Sequence, residues 1–535
     1  MSAPDPGAAE SVSRPSMDVD IACVGFGPAT AGFLTTLAGR LMNPDGSPAI
    51  ESRVSPGLPL QVVCYERADD IGFGVSGVVT RARGIRASLP VLDPTQIPMA
   101  ATVTQEKVAY LLDPGHASRR SFTLRLADRA VRALGLSRDH AVELPYIPPF
   151  LHKKGGLVMS LGQFMQFVGS QIQMSGTVQL WPATPVEEAL IDEQARVCGV
   201  RLSDQGVDRD GVPDANYMPG MDIRAALTVV GDGPVGAVGR QLDEEFGLPN
   251  GHHHREWAVG MKMVVDLPES TQLEPGTVFH TFGYPEPEIF GFFYVHPGRV
   301  ATVGIFVPSW FRSPMRTSYR YLQHFMMHPY LWRYLKGGKL RSWGAKSLQE
   351  SGKRGEPFLV GNGYARIGEG SGSTNVLTGS GVDEAWTTGS ELAEAVLELL
   401  HQGKPFTREN LERTYVARRR SSWVEQEGEV AEKARDGFHR GVIPGLIGMA
   451  LAGFTNGQFS VGGEPRLMPD LKDYYRGRIP PDEVEQIVEE CRTKGLSCHD
   501  AMMERCGWQS IPYDGELLVE VSQHFLAGGL VGAGA

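Results

Sequence analysis

The chain has few cysteines, no long apolar run and no excess of basic residues, and each shortage argues against a class of protein. Six cysteines in 535 residues form no dense disulfide framework, so we expect a reducing compartment. No window holds 18 or more consecutive apolar residues, so we expect no membrane-spanning helix. The formal net charge of −11 argues against a nucleic-acid partner, because phosphate binding needs clustered Lys and Arg.

The length of the chain predicts more than one domain. A single hydrophobic core does not grow to 535 residues, so we expect two or three domains. Residues 1–17 are rich in Ala, Pro, Ser and Gly, and they lack the basic start and apolar stretch of a signal peptide. We therefore interpret them as a flexible lead-in.

An apolar strand that runs into glycines follows this lead-in. Residues 18–24 precede Gly25 and Gly27, and residues 29–41 have a helical composition. A strand, a glycine turn and a helix N-terminus together bind a pyrophosphate, and a strand–helix turn without a ligand is the alternative. Thr30 occupies the third glycine position of this motif. We expect Thr30 to loosen the packing of the helix on the strand without removing the phosphate site.

The next strand ends on an acidic residue. Residues 60–65 lead to Glu66, whose position in a dinucleotide-binding fold accepts hydrogen bonds from the adenosine ribose. The separation from the glycines is about twice the usual ~20 residues. A loop at residues 43–57, rich in Pro, Gly and Ser, accounts for the excess.

Two later segments resemble flavoprotein motifs. Asp232 and Gly233 end an apolar strand, as in flavoprotein hydroxylases and reductases, although an Asp-Gly turn also arises without a ligand. Residues 365–385 resemble the element that closes over FAD in two-domain flavoproteins, with a plain glycine-rich loop as the alternative. Where that superfamily has an Asp that binds a ribityl hydroxyl, this chain has Glu369. The helix that begins near Gly381 would stabilise negative charge on the reduced ring.

Four further stretches extend the resemblance beyond these motifs: residues 72–77, 206–221, 282–296 and 337–345. With them, the chain resembles the electron transfer flavoprotein–ubiquinone oxidoreductases and their relatives, the Fix flavoproteins and geranylgeranyl reductases. The resemblance implies an α/β fold with an FAD-binding domain of the two-dinucleotide-fold type (glutathione-reductase-like or hydroxylase-like). An antiparallel-sheet substrate domain and a helical C-terminal region complete the expected architecture.

The same resemblance implies a division of the chain into domains. The FAD-binding domain comprises residues 18–256 and 345–400, with part of residues 80–225 in the cap. The remainder is expected to form the antiparallel-sheet quinone or substrate domain (257–344), a helical and membrane-contacting region (401–470) and a tail of unknown role (471–535).

FAD is the cofactor that the resemblance implies. Contacts to it are expected from Gly25, Gly27, Pro28, Ala29, Thr30, Glu66, Arg67, Ser76, Gly77, Val186, Asp232, Gly233, Gly368, Glu369, Asn375, Gly379, Gly381 and Val382. The quinone or substrate pocket is expected to include Phe290, Gly291, Phe293 and Gly344. The resemblance assigns no single catalytic side chain.

Two regions depart from the family pattern. Quinone oxidoreductases of this kind end in a ferredoxin-like domain with four cysteines, three of them in a Cys-x-x-Cys-x-x-Cys run. Cys491, Cys498 and Cys506 are instead separated by six and seven residues. A cluster needs four thiolates or substitutes in a short run, so we predict structural thiols, no iron–sulfur cluster and no metal site. The pattern of residues 157–174 predicts one helix, in which Ser160 replaces a basic or imidazole residue of the family.

Residues 441–454 are the most hydrophobic stretch of the chain. The stretch is too short to span a bilayer. It could lie in the membrane surface and let a lipid quinone reach the flavin, or it could be a buried core helix. The family places a membrane-contacting segment here, which favours membrane contact.

These expectations lead to one functional hypothesis and two alternatives. The hypothesis is an FAD-dependent oxidoreductase that transfers electrons between a soluble carrier (electron transfer flavoprotein or a small ferredoxin) and a membrane quinone. The alternatives are a flavin-dependent reductase of isoprenoid or lipid double bonds, and a structural flavoprotein subunit of a redox complex. We expect a cytoplasmic location, with peripheral attachment to the inner face of the membrane as a further hypothesis.

Overall fold

The computed structural model describes residues 13–72, 77–114, 120–208, 212–309, 318–464 and 480–494. Ser76, Cys498 and Cys506 lie outside these ranges, as does the side chain of Cys491. The predictions for these residues therefore stay predictions.

Strands and helices alternate as far as the strand that ends at Arg366, and helices dominate after it. The strands are β1 (Ser16–Val24), β2 (Val62–Tyr65), β3 (Val78–Thr80), β4 (Ala101–Thr102), β5 (Gln105–Leu111), β6 (Ala141–Glu143), β7 (Leu157–Met159), β8 (Val178–Trp181), β9 (Val186–Ile191), β10 (Val197–Leu202), β11 (Gln205–Val207), β12 (Pro213–Met218), β13 (Asp222–Val230), β14 (Trp257–Asp266), β15 (Thr277–Phe282), β16 (Phe290–His296), β17 (Val300–Pro308), β18 (Lys339–Gln349), β19 (Val360–Gly361) and β20 (Tyr364–Arg366).

The helices are α1 (Pro28–Ala38), α2 (Arg83–Ser88), α3 (Phe122–Ala133), α4 (Leu161–Met174), α5 (Ala237–Phe246), α6 (Ser318–Met326), α7 (Pro329–Leu335), α8 (Val382–His401), α9 (Arg408–Leu411), α10 (Ala417–Ser421), α11 (Trp423–Ala431), α12 (Val442–Phe454) and α13 (Pro481–Lys494).

The first sheet has eight strands and a parallel centre. Its main path runs β19-β20-β13-β1-β2-β8, with β10 paired to β13 and β9 paired to β10. The pairs β1–β13, β1–β2, β2–β8 and β13–β20 are parallel. Because the central strands are apolar on both sides, helices cover the sheet, and α1 and α8 pack together over its centre. The predicted α/β class is confirmed.

Helices α1 and α8 approach each other at the level of the backbone. A Cβ atom added to Gly32 would overlap the carbonyl oxygen of Trp386, and one added to Gly389 would overlap that of Ala29. The first turn of α8 also caps a third helix, since the carboxylate of Asp383 accepts hydrogen bonds from the amides of Arg83 (2.7 Å) and Gly84 (2.9 Å) at the start of α2. Glycine at positions 32 and 389 is therefore what brings the N-terminus of α8 beside that of α1.

The second sheet has seven strands in the order β18-β14-β17-β16-β15-β5-β6. Its pairs are antiparallel except β15–β5, which is parallel. Residues 105–143 thus contribute strands β5 and β6 to the same sheet as residues 257–349. One face packs on α6 and α7, and the other packs on β3 and β7. The second face therefore looks towards the FAD-binding domain.

The helix predicted over residues 157–174 is divided, and that prediction is wrong at its start. Residues Leu157–Met159 form β7, which pairs with β3 and β4, and the helix begins at Leu161. Ser160 caps the helix, because its hydroxyl accepts a hydrogen bond from the amide of Gln163. The apolar residues before Ser160 are buried in a sheet rather than along a helix face.

Helix α12 covers most of the predicted hydrophobic segment. Across the ranges that the structure describes, no helix combines the length and apolar character needed to cross a bilayer.

Candidate functional site

The first glycine turn leaves open space in front of α1. Gly25 has a φ of +81°, and a Cβ atom there would lie 2.9 Å from the carbonyl oxygen of Gly231. Gly27 is the residue before α1, no heavy atom lies within 4 Å of where its Cβ would be, and Pro28 is the first helical residue. The free amides of the first helical turn therefore face a volume that a phosphate group can occupy.

Thr30 is packed rather than loose, which corrects the expectation from the sequence. It is fully buried, and a Cβ atom added to Gly231 would overlap its hydroxyl oxygen. The missing side chain of Gly231 at the end of β13 thus provides the space that a glycine at position 30 would otherwise provide. The Thr30 hydroxyl has no hydrogen-bond partner in the described structure.

Glu66 lies directly beside the glycine turn. One carboxylate oxygen accepts a hydrogen bond from the amide of Phe26 (2.7 Å), and the other accepts one from Ala68 (2.9 Å). The backbone of Glu66 also pairs with Trp181 and Thr184, which places Val186, the first residue of β9, two residues beyond this contact. Arg67 is exposed next to it. These residues form the edge where an adenosine ribose would bind.

The Asp232–Gly233 turn stabilises the next helix. The Asp232 carboxylate accepts a hydrogen bond from the amide of Gly239 in α5 (2.9 Å). Burial raises the pKa of Asp232, while the Gly239 amide and Arg366 oppose that shift. Gly233 has a φ of +76° and open space around its Cβ position.

The second glycine segment, residues 365–385, contacts both the glycine turn before α1 and the Asp232–Gly233 turn. A Cβ atom on Gly368 (φ +73°) would lie 2.8 Å from the Cβ atom of Ala29, and one on Gly370 would lie 2.5 Å from the carbonyl oxygen of Gly233. Asn375 folds the following turn by accepting hydrogen bonds from the amides of Leu377 (3.2 Å) and Thr378 (3.0 Å).

The remaining residues of the second segment lead directly into α8. Gly379 has a φ of +62° with open space around it, Gly381 is the residue before the helix, and Val382 is its first residue. The first glycine turn, the second glycine segment and the Asp232 turn thus form one surface, which includes the N-termini of α1 and α8.

This surface fits an FAD molecule. Three of its glycines, Gly27, Gly233 and Gly379, have no heavy atom within 4 Å of their Cβ positions. The N-termini of α1 and α8 would offer amides and positive dipole ends to the pyrophosphate and to the negative charge of the reduced ring. Glu66 provides an acceptor for a ribose. FAD would be held by these groups.

Glu369 binds the second sheet. Its carboxylate accepts a hydrogen bond from the amide of Gln349 (3.1 Å) and lies 3.5 Å from the ammonium group of Lys346. Both partners belong to β18. Glu369 therefore links the second glycine segment to the substrate-domain sheet, a role that its longer side chain allows and that the sequence did not reveal.

The four residues predicted for the quinone pocket lie on two faces of the second sheet. Phe290 and Phe292 are two residues apart on β16 and share the face towards the predicted FAD-binding domain. Gly344 pairs with Lys262 of β14, whose ammonium group points to that same side. Gly291 and Phe293 point the other way: a Cβ atom on Gly291 would overlap the ring of Phe325 in α6, and Phe293 is buried in the core there. The structure therefore brings only Phe290 and Gly344 to the face towards the predicted FAD-binding domain.

Two lysines with lowered pKa values were missed in the sequence: Lys153, which is buried, and Lys262, which is partly buried. The ammonium group of Lys262 donates a hydrogen bond to the carbonyl oxygen of Gly77 (3.0 Å), and burial, then the nearby Lys346, lowers its pKa to about 8. Burial also lowers the pKa of Lys153 to about 8, opposed chiefly by Glu384 in the first turn of α8. Burial raises the pKa of Glu384, which Lys153 opposes. Lys262 stands alone in the apolar run 259–265, a signal that could have found it.

A hydrophobic cluster connects α12 with the site. We call it the α12 cluster; it comprises Leu377, Ala431, Ala434, Phe438, Val442, Met449 and Ala452, with Leu124, Phe150, Phe290, Val376, Val430 and Leu446 packed against it. Leu377 belongs to the second glycine segment, and the ring of Phe290 lies 5.7 Å from that of Phe438. On its outer side, α12 exposes Ile443 (48%) and Ile447 (50%).

These features define the class of the protein as an α/β fold whose glycine turns and helix N-termini suit FAD. The fold is shared with a geranylgeranyl bacteriochlorophyll reductase-like protein from Thermoplasma acidophilum (TM-score 0.53, 14% identity, 88% of this chain and 99% of that one). It is also shared with a flavin-dependent brominase (TM-score 0.52, 14% identity, 89% of this chain and 100% of that one).

Sequence comparison narrows the class. Residues 257–348 match the family "ETF-QO, ubiquinone-binding". The chain is 32% identical over 316 residues to the mitochondrial electron transfer flavoprotein–ubiquinone oxidoreductase of Arabidopsis thaliana, covering 58% of this chain and 48% of that protein. It is 27% identical over 469 residues to the Pseudomonas aeruginosa enzyme of that name (87% and 78%). The chain thus spans about half the length of the first relative, and the resemblance found in the sequence is confirmed.

Proposed function

We propose that this protein transfers electrons between a soluble electron carrier protein and a membrane quinone through a bound FAD. The carrier is an electron transfer flavoprotein or a small ferredoxin. FAD supplies the redox chemistry, accepting electrons from one partner and passing them to the other. The chain positions the cofactor, excludes water from it and presents a route for an apolar quinone.

The α12 cluster is the observation that carries this proposal. It extends from a surface helix to Phe290 on the second sheet and to Leu377 beside the start of α8. Ile443, Ile447 and Leu451 follow one another at successive turns of α12, and all three side chains are exposed. They therefore form one apolar stripe. A lipid quinone needs a continuous apolar path from the bilayer, and a helix with such a stripe binds a membrane surface.

Aromatic residues widen the exposed stripe. Phe454, 58% exposed at the end of α12, stacks on Tyr146, with 6.4 Å between ring centroids. Aromatic rings of this kind favour the interface between lipid and water. Peripheral attachment through α12 therefore accounts for apolar surface that the protein does not bury itself.

The relatives support the same reaction. The two relatives are named electron transfer flavoprotein–ubiquinone oxidoreductases, and the ubiquinone-binding family match spans β14 to β18. Because we predict no iron–sulfur cluster in this chain, a separate small ferredoxin would carry the electrons that such a cluster carries. The Fix flavoproteins that the sequence resembles provide the precedent.

The visible spectrum of the purified protein tests the cofactor and the reaction together. We expect a flavin band that bleaches with dithionite and returns when a soluble quinone is added, without a broad iron–sulfur shoulder. A colourless protein that takes up no added FAD would contradict the proposal.

The route through α12 has its own test. Ile447→Asp places a charge in the exposed stripe, so oxidation of the reduced protein by a long-tailed quinone in vesicles should slow at least tenfold. Oxidation by a short, water-soluble quinone should not change. Met174→Asp is the matched control, because Met174 is 82% exposed at the end of α4, a helix that contributes nothing to the α12 cluster. Equal slowing with both quinones would exclude α12 as the route.

Reduction of an isoprenoid double bond is the second candidate. The same α12 cluster suits an isoprenoid chain, and the Thermoplasma structure is titled geranylgeranyl bacteriochlorophyll reductase-like. Saturation of an isoprenoid diphosphate by the dithionite-reduced protein, with no oxidation by quinone, would favour this candidate.

A further inference from the structure

Lys262 lies in the middle of the second sheet, on the face towards the FAD-binding domain. It pairs with Gly304 of β17 on one side and with Gly344 of β18 on the other. Neither neighbour has a side chain, and the ring of Phe292 lies 5.7 Å from the ammonium group. The lysine side chain therefore lies beside backbone and an aromatic ring, and no carboxylate among the described residues pairs with it.

No ion pair between described residues includes Lys262. Lys346 is the one charged group in the described ranges that shifts its pKa, and it has the same sign. Lys346 itself pairs with Glu369 and is 66% exposed. An unpaired ammonium group in a partly buried position costs folding free energy, so a compensating partner is expected when the protein is complete.

The position of the ammonium group identifies that partner. It donates to the carbonyl oxygen of Gly77, one of the residues predicted to contact FAD. Lys346, its neighbour across the sheet, contacts Glu369 in the segment that precedes α8. The loop at Gly77 and the face of the second sheet thus meet at Lys262, and Lys346 connects that face to the second glycine segment.

We propose that Lys262 is the cation that stabilises the reduced form of the bound FAD. Reduction by two electrons and one proton leaves one negative charge on the isoalloxazine ring, and a fixed ammonium group beside the ring lowers the free energy of that state. The electrons come from the soluble carrier protein and leave to the quinone, so the inference rests on the proposed function. Lys262 acts on the potential of the cofactor and exchanges no atoms with it.

The test is a redox titration of Lys262→Met with FAD bound. Methionine keeps the length of the side chain and removes its charge. We expect the reduced state to lose about tenfold in its equilibrium with the oxidised state, which is a midpoint about 30 mV more negative for a two-electron couple. Affinity for oxidised FAD should change less than threefold, because the oxidised ring carries no such charge. Lys262→Arg should keep most of the wild-type potential.

Lys339→Met is the matched control. Lys339 is an exposed residue of the same sheet, opposite Asp266 on β14, and its substitution makes the same change in net charge. Its midpoint should equal that of the wild type. A wild-type midpoint in Lys262→Met, or an equal shift in Lys339→Met, would overturn the inference while leaving FAD binding and quinone reduction intact. A wild-type protein that binds no FAD would instead refute the proposed function.

A measurement on the wild type covers the case in which Lys262→Met does not fold. The other titratable groups close to Lys262 are Lys346 on β18 and His296 on β16. Because the pKa of Lys262 is about 8 and a negative ring would raise it, reduction above about pH 8 should take up one additional proton per two electrons. A pH dependence that shows no such increase between pH 7 and 9.5 would contradict the inference.

Discussion

Helices α1 and α12 are both largely apolar and both contain glycine, yet their glycines make different contacts. In α1, Gly32 admits the backbone of α8, with a carbonyl oxygen where a Cβ atom would be. In α12, Gly445 and Gly453 admit the rings of Phe438 and Phe150. A ring can rotate aside, whereas the backbone of a packed helix cannot. Glycine is thus obligatory in the first contact and replaceable in the second.

The two helices also differ in what they leave exposed. Helix α1 is buried along most of its length beneath α4 and α8, while α12 keeps an apolar stripe at the surface and contains no charged residue. The first helix serves the fold and the cofactor. The second carries the exposed apolar stripe through which the proposed membrane contact would form.

The largest expected effect is at the contact between α1 and α8. Gly389→Ala places a Cβ atom on the Ala29 carbonyl oxygen, so the helices must separate. Even after the ~1 kcal/mol that Ala gains in a helix, we expect a loss of at least about 2 kcal/mol in the free energy of unfolding. FAD affinity should fall with it, because both helix N-termini move. Urea unfolding and FAD titration measure the two effects, and an unchanged FAD affinity would contradict this account.

The next effect is a pH dependence of stability at Lys153, which interacts with Glu384 of α8, whereas α12 contains no titratable residue. The pKa of Lys153 is about 8 in the folded protein, against 10.5 as its usual value. Between these values the unfolded chain holds a proton that the folded protein has lost, so stability rises with pH over this window. Lys153→Met should remove most of that rise, since each pH unit between the two pKa values is worth about 1.4 kcal/mol. Thermal unfolding from pH 7.5 to 10.5 measures it, with Lys339→Met as the control that keeps the rise.

Substitution in α12 should cost less than in α8. Gly453→Ala displaces the half-buried ring of Phe150, which costs about 1 kcal/mol, and the helix gains a similar amount from Ala. The free energy of unfolding should therefore stay within about 1 kcal/mol of the wild type in urea denaturation. A loss as large as that of Gly389→Ala would remove the distinction between ring and backbone contacts.

The smallest effect is at the exposed stripe. Ile447→Asp should leave the free energy of unfolding within about 0.5 kcal/mol of the wild type, since the side chain is half exposed. Binding to lipid vesicles should nevertheless weaken, as sedimentation with vesicles would measure. A large destabilisation would mean that Ile447 supports the fold instead of a membrane contact.

The sequence predicts those parts of the site that are contiguous in the chain. Gly25, Gly27 and Glu66 follow from a strand and a turn, and the structure places them together. The space for Thr30 comes from Gly231, in a strand far along the chain, which no local pattern reveals.

Contacts to the second sheet could not be predicted from the sequence either. The partners of Glu369 are on β18, and the link depends on how the two sheets pack. The run 290–296 is apolar on both faces of β16, so its alternation cannot tell which residues face the flavin. Gly291 and Phe293 were assigned to the pocket from the family resemblance, and the pattern of the strand could not correct that assignment.

The cap that Asp383 provides for α2 sets the order in which the chain can mature. The amides of residues 83–85 donate hydrogen bonds to a carboxylate that is translated some 300 residues later, and α1 cannot complete its packing until Gly389 of the same helix is made. At ~5–20 residues per second, the nascent FAD-binding domain stays incomplete for roughly 20–80 seconds. During that time the faces of α1 and its sheet that α8 covers stay exposed to solvent, which favours aggregation, and we expect a fragment that ends before α8 not to bind the proposed cofactor.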